Sequence, residues 1–214
     1  FTAGTGTVVF NGNSARAIAG SFATRFNNLT ISDTGSTVSL NVNAQIKGNL
    51  TVSFGTFDLG GFTANRETAG GTLTVANNAV LKIGGTNTFP ANYSANSLIV
   101  ASTVEYNGTN QAVANVTYGN LSMSSAAGSV TKTFPATALT VVGNLTSTKG
   151  AGTTVEFTAA AGITVNGNVL IDAATTFNAA AYTHTMGANW VNNGTFNGNT
   201  GTVIFNGTGS MISG

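Results

Sequence analysis

The chain has 214 residues, enough to bury a sizeable core, and carries a net charge of +1 with only 6% charged residues, against about 25% in an ordinary protein. Without a basic stripe it offers little for electrostatic binding to nucleic acid, and the absence of cysteine excludes a disulfide framework and thiolate zinc sites. No apolar run approaches the ~18 residues of a membrane helix, and residues 1–30 lack the basic start and apolar stretch of a secretion signal.

Taken from the N-terminus, one short motif keeps returning. Asn27-Asn28-Leu29-Thr30 is followed by Gly48-Asn49-Leu50-Thr51, Gly71-Thr72-Leu73-Thr74 and Asn96-Ser97-Leu98-Ile99. Then come Gly119-Asn120-Leu121-Ser122, Gly143-Asn144-Leu145-Thr146 and Gly167-Asn168-Val169-Leu170, with a weaker copy at Ala188-Asn189-Trp190-Val191. The second positions stand 21 to 25 residues apart, a period that marks a solenoid. A longer period lies over the first. Thr7-Val8-Val9-Phe10-Asn11-Gly12 returns as Thr103-Val104-Glu105-Tyr106-Asn107-Gly108 and as Thr202-Val203-Ile204-Phe205-Asn206-Gly207. Four short repeats thus make a super-repeat of about 97 residues: 7–102, 103–201, and the opening of a third at 202–214. Phe1 aligns with Phe196, so both ends share a phase, as expected of a segment of a longer protein.

Within each copy the pattern is that of a strand. Leu29 and Ile31, Leu50 and Val52, and Leu73 and Val75 face one way while Thr30, Thr51 and Thr74 face the other, in period two between Gly and Asn. Disordered low complexity lacks such alternation. A β-sandwich array has no reason to hold one register over so many copies. A parallel β-helix does, because residues one coil apart stack at about 4.8 Å. The expected fold is therefore all-β: a right-handed parallel β-helix, one continuous solenoid over 1–214 with about nine coils of roughly 23 residues. Asn28, Asn49, Asn120, Asn144, Asn168 and Asn189 are expected to form a structural ladder, with side chains hydrogen-bonded along the axis. Leu29, Leu50, Leu73, Leu98, Leu121, Leu145 and Val169 are expected to fill the interior as a core column. Phe10, Tyr106 and Phe205 recur in the manner of an internal stack.

Chemistry-bearing residues are sparse. Asp58 and Glu105 are the best-placed carboxylate pair, two coils and roughly 10 Å apart, as a polysaccharide-degrading site requires. Asp33 and Asp172 match laterally but stand six coils apart, and solvated turn charges explain all of the carboxylates. His184, the only histidine, lacks a carboxylate or cysteine neighbour and reads as a strand residue facing solvent. Trp190 reads as core or turn packing, or as a sugar-stacking platform. The outward Thr30, Thr51, Thr74, Ser122, Thr146 row reads as ordinary strand propensity. Several Asn-x-Ser/Thr sequons coincide with ladder positions (Asn28, Asn49, Asn120 and Asn144), where a glycan would compete with stacking. No catalytic, cofactor or metal residues are expected.

Ala188-Asn189-Trp190-Val191-Asn192-Asn193-Gly194-Thr195-Phe196, then Gly201 to Gly207, Phe26 to Ser32 and Lys47 to Ser53 resemble the repeats of very large secreted, adhesin-like β-strand-repeat proteins of Bacteroidota. The resemblance implies a structural or adhesive protein at the cell surface or outside the cell. Its partners would be adjoining repeats or further copies of itself, and surface glycans. The alternatives are a carbohydrate-binding β-helix module and a polysaccharide-degrading enzyme. Leu59 to Gly71 depart from the family's turn and are expected to form a side loop.

Overall fold

The computed structural model describes residues 4–150 and 152–214; Phe1, and with it the phase match to Phe196, lies outside them. No helix occurs among the described residues. The strands pair in parallel and wind into a right-handed parallel β-helix. The chain divides into two compact units, Phe1–Thr103 and Val104–Gly214.

In the first unit each turn of the coil lays down strands on three faces. β1 (Thr7–Phe10), β2 (Arg16–Ile18) and β3 (Thr24–Phe26) form one turn. The next holds β4 (Asn28–Leu40) and β5 (Ala44–Ile46), and the third holds β6 (Leu50–Asp58) and β7 (Ala64–Arg66). β8 (Gly70–Val75), β9 (Val80–Ile83) and β10 (Tyr93–Leu98) follow. β4 and β6 each turn a corner and serve two faces. Leu29 stands beside Leu50 and Val38 beside Phe57, with register shifts between Ile31 and Thr37. β6 in turn places Leu50 on Leu73 of β8 and Phe57 on Leu81 of β9. These inward residues are fully buried. Burying a side chain of this size contributes about 1.5–3 kcal/mol, so the apolar columns carry most of the favourable energy.

Two expectations are corrected here. Leu98 does not continue the Leu29–Leu50–Leu73 column. Ala95 stands opposite Thr72, Asn96 opposite Leu73 and Leu98 opposite Val75, so the fourth motif copy is two residues out of register, and Leu98 is only half-buried. The physical reason lies in the connection before it. Gly84 to Asn92 contains Pro90, which cannot donate to a ladder, and forms no strand. The second correction concerns Leu59 to Gly71, which is no side loop. Its β7 completes a three-stranded sheet with β3 and β5, Ala44 beside Ala64, and Leu59 and Ala64 are buried.

The second unit follows the same plan. β11 (Thr103–Tyr106), whose first residue belongs to the first unit, leads into β12 (Gln111–Ala112). Regular turns follow: β13 (Asn120–Met123), β14 (Ser129–Thr133) and β15 (Leu139–Val141), then β16 (Leu145–Ser147), β17 (Thr154–Thr158) and β18 (Ile163–Val165). β19 (Val169–Ile171), β20 (Thr175–Asn178) and β21 (Thr183–Met186) repeat them. β22 (Trp190–Asn192), β23 (Thr195–Asn197), β24 (Thr202–Phe205) and β25 (Ile212–Ser213) end the unit. One sheet runs β13-β16-β19-β22-β25, a second β12-β14-β17-β20-β23 and a third β15-β18-β21-β24.

Two interior columns dominate this unit. Leu121, Leu145, Val169 and Trp190 stack in register on the first sheet, and the exposed Ile212 follows them in the ladder. On the second, Gln111, Lys132, Phe157, Phe177 and Phe196 follow one another. Phe157 and Phe177 lie face to face, 4.8 Å apart and 9° from parallel. The TVxF copies do not form one stack. Tyr106 is closed in, Phe10 is half-buried and Phe205 is 37% exposed. β1 pairs with the Leu29 strand whereas β24 pairs with β21, so the same hexapeptide serves different faces.

Candidate functional site

The most regular chemistry of the chain lies where each turn enters the Leu column. The Asn28 side-chain oxygen Oδ1 accepts the backbone N–H of Asn49 at 2.8 Å, and Asn49 Oδ1 accepts the N–H of Thr72 at 2.9 Å. In the second unit Asn120 Oδ1 accepts from Asn144 N–H and Asn144 Oδ1 from Asn168 N–H, both at 2.8 Å. Asn168 then takes the N–H of Asn189 at 3.1 Å, and Asn189 that of Met211 at 2.9 Å. The sequence suggested side chains bonded to one another along the ladder, and they are not. Each reaches one coil forward and holds a main-chain donor. Backbone bonds run back across the same step, from Leu121 N–H to Asn144 O and from Leu145 N–H to Asn168 O, both at 2.9 Å. At a corner the chain bends and the main-chain ladder loses an acceptor; the Asn carbonyl supplies it.

The glycine of the motif follows from this latch. A Cβ on Gly167 would lie 2.5 Å from Gly143 O and 2.6 Å from Asn144 Oδ1, and one on Gly48 would lie 2.2 Å from Asn28 Oδ1. The latch is longest, 3.1 Å, at Asn189, where Ala188 replaces the glycine. Gly-Asn-Leu therefore reads as close approach, latch and core.

The same device recurs at positions outside the repeated motif. Asn43 Oδ1 accepts Thr63 N–H, Asn65 Oδ1 accepts Ala91 N–H, and Asn110 Oδ1 accepts Thr131 N–H, each at 2.9 Å. Asn is so abundant here that only register separates a latch from a turn residue.

Three polar clusters reinforce the coils, and of the side chains that form them only Tyr106 falls in a recurring motif. The Lys132 ammonium, fully enclosed, donates to Gly108 O and Thr109 O at 2.8 Å and to Gln111 Oε1 at 2.6 Å. Burial pushes it down to about 8, against the pull of Glu105. Tyr106 and Tyr118 share a hydroxyl contact at 2.9 Å and hold Ala114 between them. Burial pushes Tyr106 up to about 12 and Tyr118 well above its ordinary value. Arg16 Nη1 meets the wholly buried Asp33 Oδ2 at 3.0 Å.

His184 is not the solvent-facing strand residue its neighbours in sequence suggest. It is fully buried, edge-on to Phe177. Its Nδ1 accepts the Ile163 N–H at 3.3 Å, which leaves Nε2–H to donate to Ala179 O at 2.8 Å. Burial lowers its pKa, opposed by the Ala179 bond. Thr183 and Thr185 flank it, and a core histidine and a surface one look alike in a strand pattern.

The carboxylates are engaged rather than free in turns. Asp58 Oδ1 accepts Gly60 N–H at 2.8 Å, and Glu105 accepts from the Ser124 hydroxyl. Asp58 belongs to the first unit and Glu105 to the second, and each is engaged within its own unit. Asp33 is buried, and Asp172 Oδ1 accepts Ala173 N–H at 2.8 Å. Trp190 is 5% exposed and packs edge-on against Phe196 and Phe205, at 5.0 and 5.9 Å, so its ring is core and not a sugar platform. Thr30, Thr51 and Thr74 stand in one half-buried outward row; in the second unit Ser122 and Thr146 give way to Leu170 and Val191. No protein family, curated protein or solved structure matches the chain.

Proposed function

We propose that this chain is a section of an extracellular structural stalk whose work is reach, stiffness and adhesion, with adjoining repeats or further copies of the same coil as its partners. The column of Asn latches, each holding the next turn's main chain (Asn144 Oδ1 to Asn168 N–H, 2.8 Å), carries this reading. Side-chain acceptors at the corners supplement the sheet ladders, so each turn is tied to the next at more points than strand pairing alone provides. In a repeat of this kind stability accumulates through nearest-neighbour contacts. The resemblance of the repeats to secreted adhesin-like proteins supports the location outside the cell.

Force spectroscopy on the chain tethered at its two ends tests the proposal. A stalk resists load and then yields in discrete steps, each releasing a coil of about 80 Å contour length at ~3.5 Å per residue. Extension at low force without discrete steps overturns the reading.

A further inference from the structure

The one titratable imidazole of the chain sits where a proton would reverse a hydrogen bond. His184 lies on β21 between β18 and β24: Thr185 pairs with Thr164, and His184 itself stands beside Val203. Both ring nitrogens are committed, Nδ1 as acceptor from Ile163 N–H and Nε2 as donor to Ala179 O. A second proton can only go to Nδ1, and it would set N–H against N–H inside a closed apolar space.

Among the described residues no carboxylate stands against the ring, and only the Ala179 carbonyl favours the charge. β18 contributes Ile163, Thr164 and Val165, β24 contributes Thr202 to Phe205, and β20 contributes Thr175 to Asn178 with Phe177 against the ring. None of these is ionisable at or below neutral pH. The connection from β20 brings Ala179 and the exposed phenol of Tyr182. Glu156 on β17 is turned to Asn178, and Asp172 to the Ala173 N–H. After Asp172 the sequence contains no Asp, Glu, Lys or Arg at all.

We propose that His184 is an acid-sensitive latch: its protonation breaks the Ile163 contact and loosens the turns carrying β18, β21 and β24, while the turns of β13 and β16 stay paired. The proton is the ligand, and the response is a local loss of coil-to-coil bonding. This inference does not depend on the stalk reading.

Amide exchange by NMR across pH 7 to 4.5 tests it on the whole chain, with the single imidazole titrated in the same samples. The protection factors of Ile163, Thr202 and Asn206 are expected to fall about tenfold or more as the imidazole takes its proton. Thr202 and Asn206 report because their N–H groups donate to Tyr182 O and Met186 O; Leu121 and Leu145 should stay protected. In His184→Gln, whose amide supplies both an acceptor and a donor without titrating, the step should vanish. Unchanged protection at Ile163 after imidazole protonation overturns the proposal, as does an equal fall at Leu145 or the same step in His184→Gln. Should the variant not fold, the contrast of Ile163 with Leu145 in the unaltered chain decides alone.

Discussion

The hydroxyl oxygens of Tyr106 and Tyr118 lie 2.9 Å apart in the buried interior of the second unit. Tyr118 donates to Ala114 O at 2.9 Å and Tyr106 accepts Ala114 N–H at 3.1 Å. The only arrangement that satisfies all three bonds has Tyr106 donating to Tyr118. The ring of bonds fastens the connection between β12 and β13 to the core. Tyr118→Phe removes the acceptor for Tyr106 and the donor to Ala114, and should destabilise by about 1–3 kcal/mol, read as a lowered urea midpoint with unchanged slope.

Lys132 and Gln111 form a coupled pair. Lys132→Met leaves Gly108 O, Thr109 O and Gln111 Oε1 facing an apolar chain, and should cost about 1–3 kcal/mol. Gln111→Met in the same chain removes one of those orphaned acceptors, and the double variant should be more stable than the sum of the singles implies. A double-mutant cycle by denaturant unfolding checks the sign.

The alkaline limb of the stability curve follows from the same groups. The folded-state pKa of Lys132 is lowered to about 8 from an unfolded value near 10.4. Its contribution is therefore fully present above the unfolded value and lost as pH falls through about 8. Tyr106 is raised to about 12; its contribution is present below pH ~10 and lost as pH rises toward 12. Stability should climb between pH 8 and 10 and fall beyond, and Lys132→Met should flatten the climb. Denaturant midpoints measured at several pH values report both limbs.

How much of this was legible in the sequence differs by residue. The 23-residue period, the inward Leu29, Leu50 and Leu73, and the parallel coil all followed from spacing, because stacking forces like residues into register. Leu98 misled because a motif can slide two residues and keep its face; only the pairing of Ala95 with Thr72 exposes the slip. Lys132 and His184 were invisible because each occupies an inward strand position; the partners of Lys132 come from the preceding turn, and those of His184 from the preceding turn and its own. The reach of Asn144 to the next coil's main chain was hidden for another reason: the same spacing suits side-chain stacking equally well.

Trp190 separates core from ligand surface. Packed on Phe177, Phe196 and Phe205, it should cost about 3–5 kcal/mol on conversion to Ala. Calorimetry should show the loss as a lowered melting temperature for the second unit, and Trp190→Phe should recover part of it.

The glycine of the motif yields a sharper test than the asparagine. Gly167→Ala places a methyl group 2.5 Å from the main-chain oxygen of Gly143, which cannot swing aside as a side chain can. It should destabilise by about 1–3 kcal/mol, whereas Ala188→Gly should be tolerated and bring Asn189 closer to Asn168. Thermal unfolding of the two variants orders them.

Amide exchange at Asn168, in the unaltered chain and in Asn144→Ala, decides whether the repeated asparagines latch each turn to the next. The Asn168 N–H donates to Asn144 Oδ1 at 2.8 Å. Removing that acceptor should speed its exchange by about tenfold, as a loss near 1.4 kcal/mol implies, while Leu145 N–H, bound to Asn168 O, changes far less. Equal protection of Asn168 with and without the Asn144 side chain would mean that the asparagine does not hold the next turn.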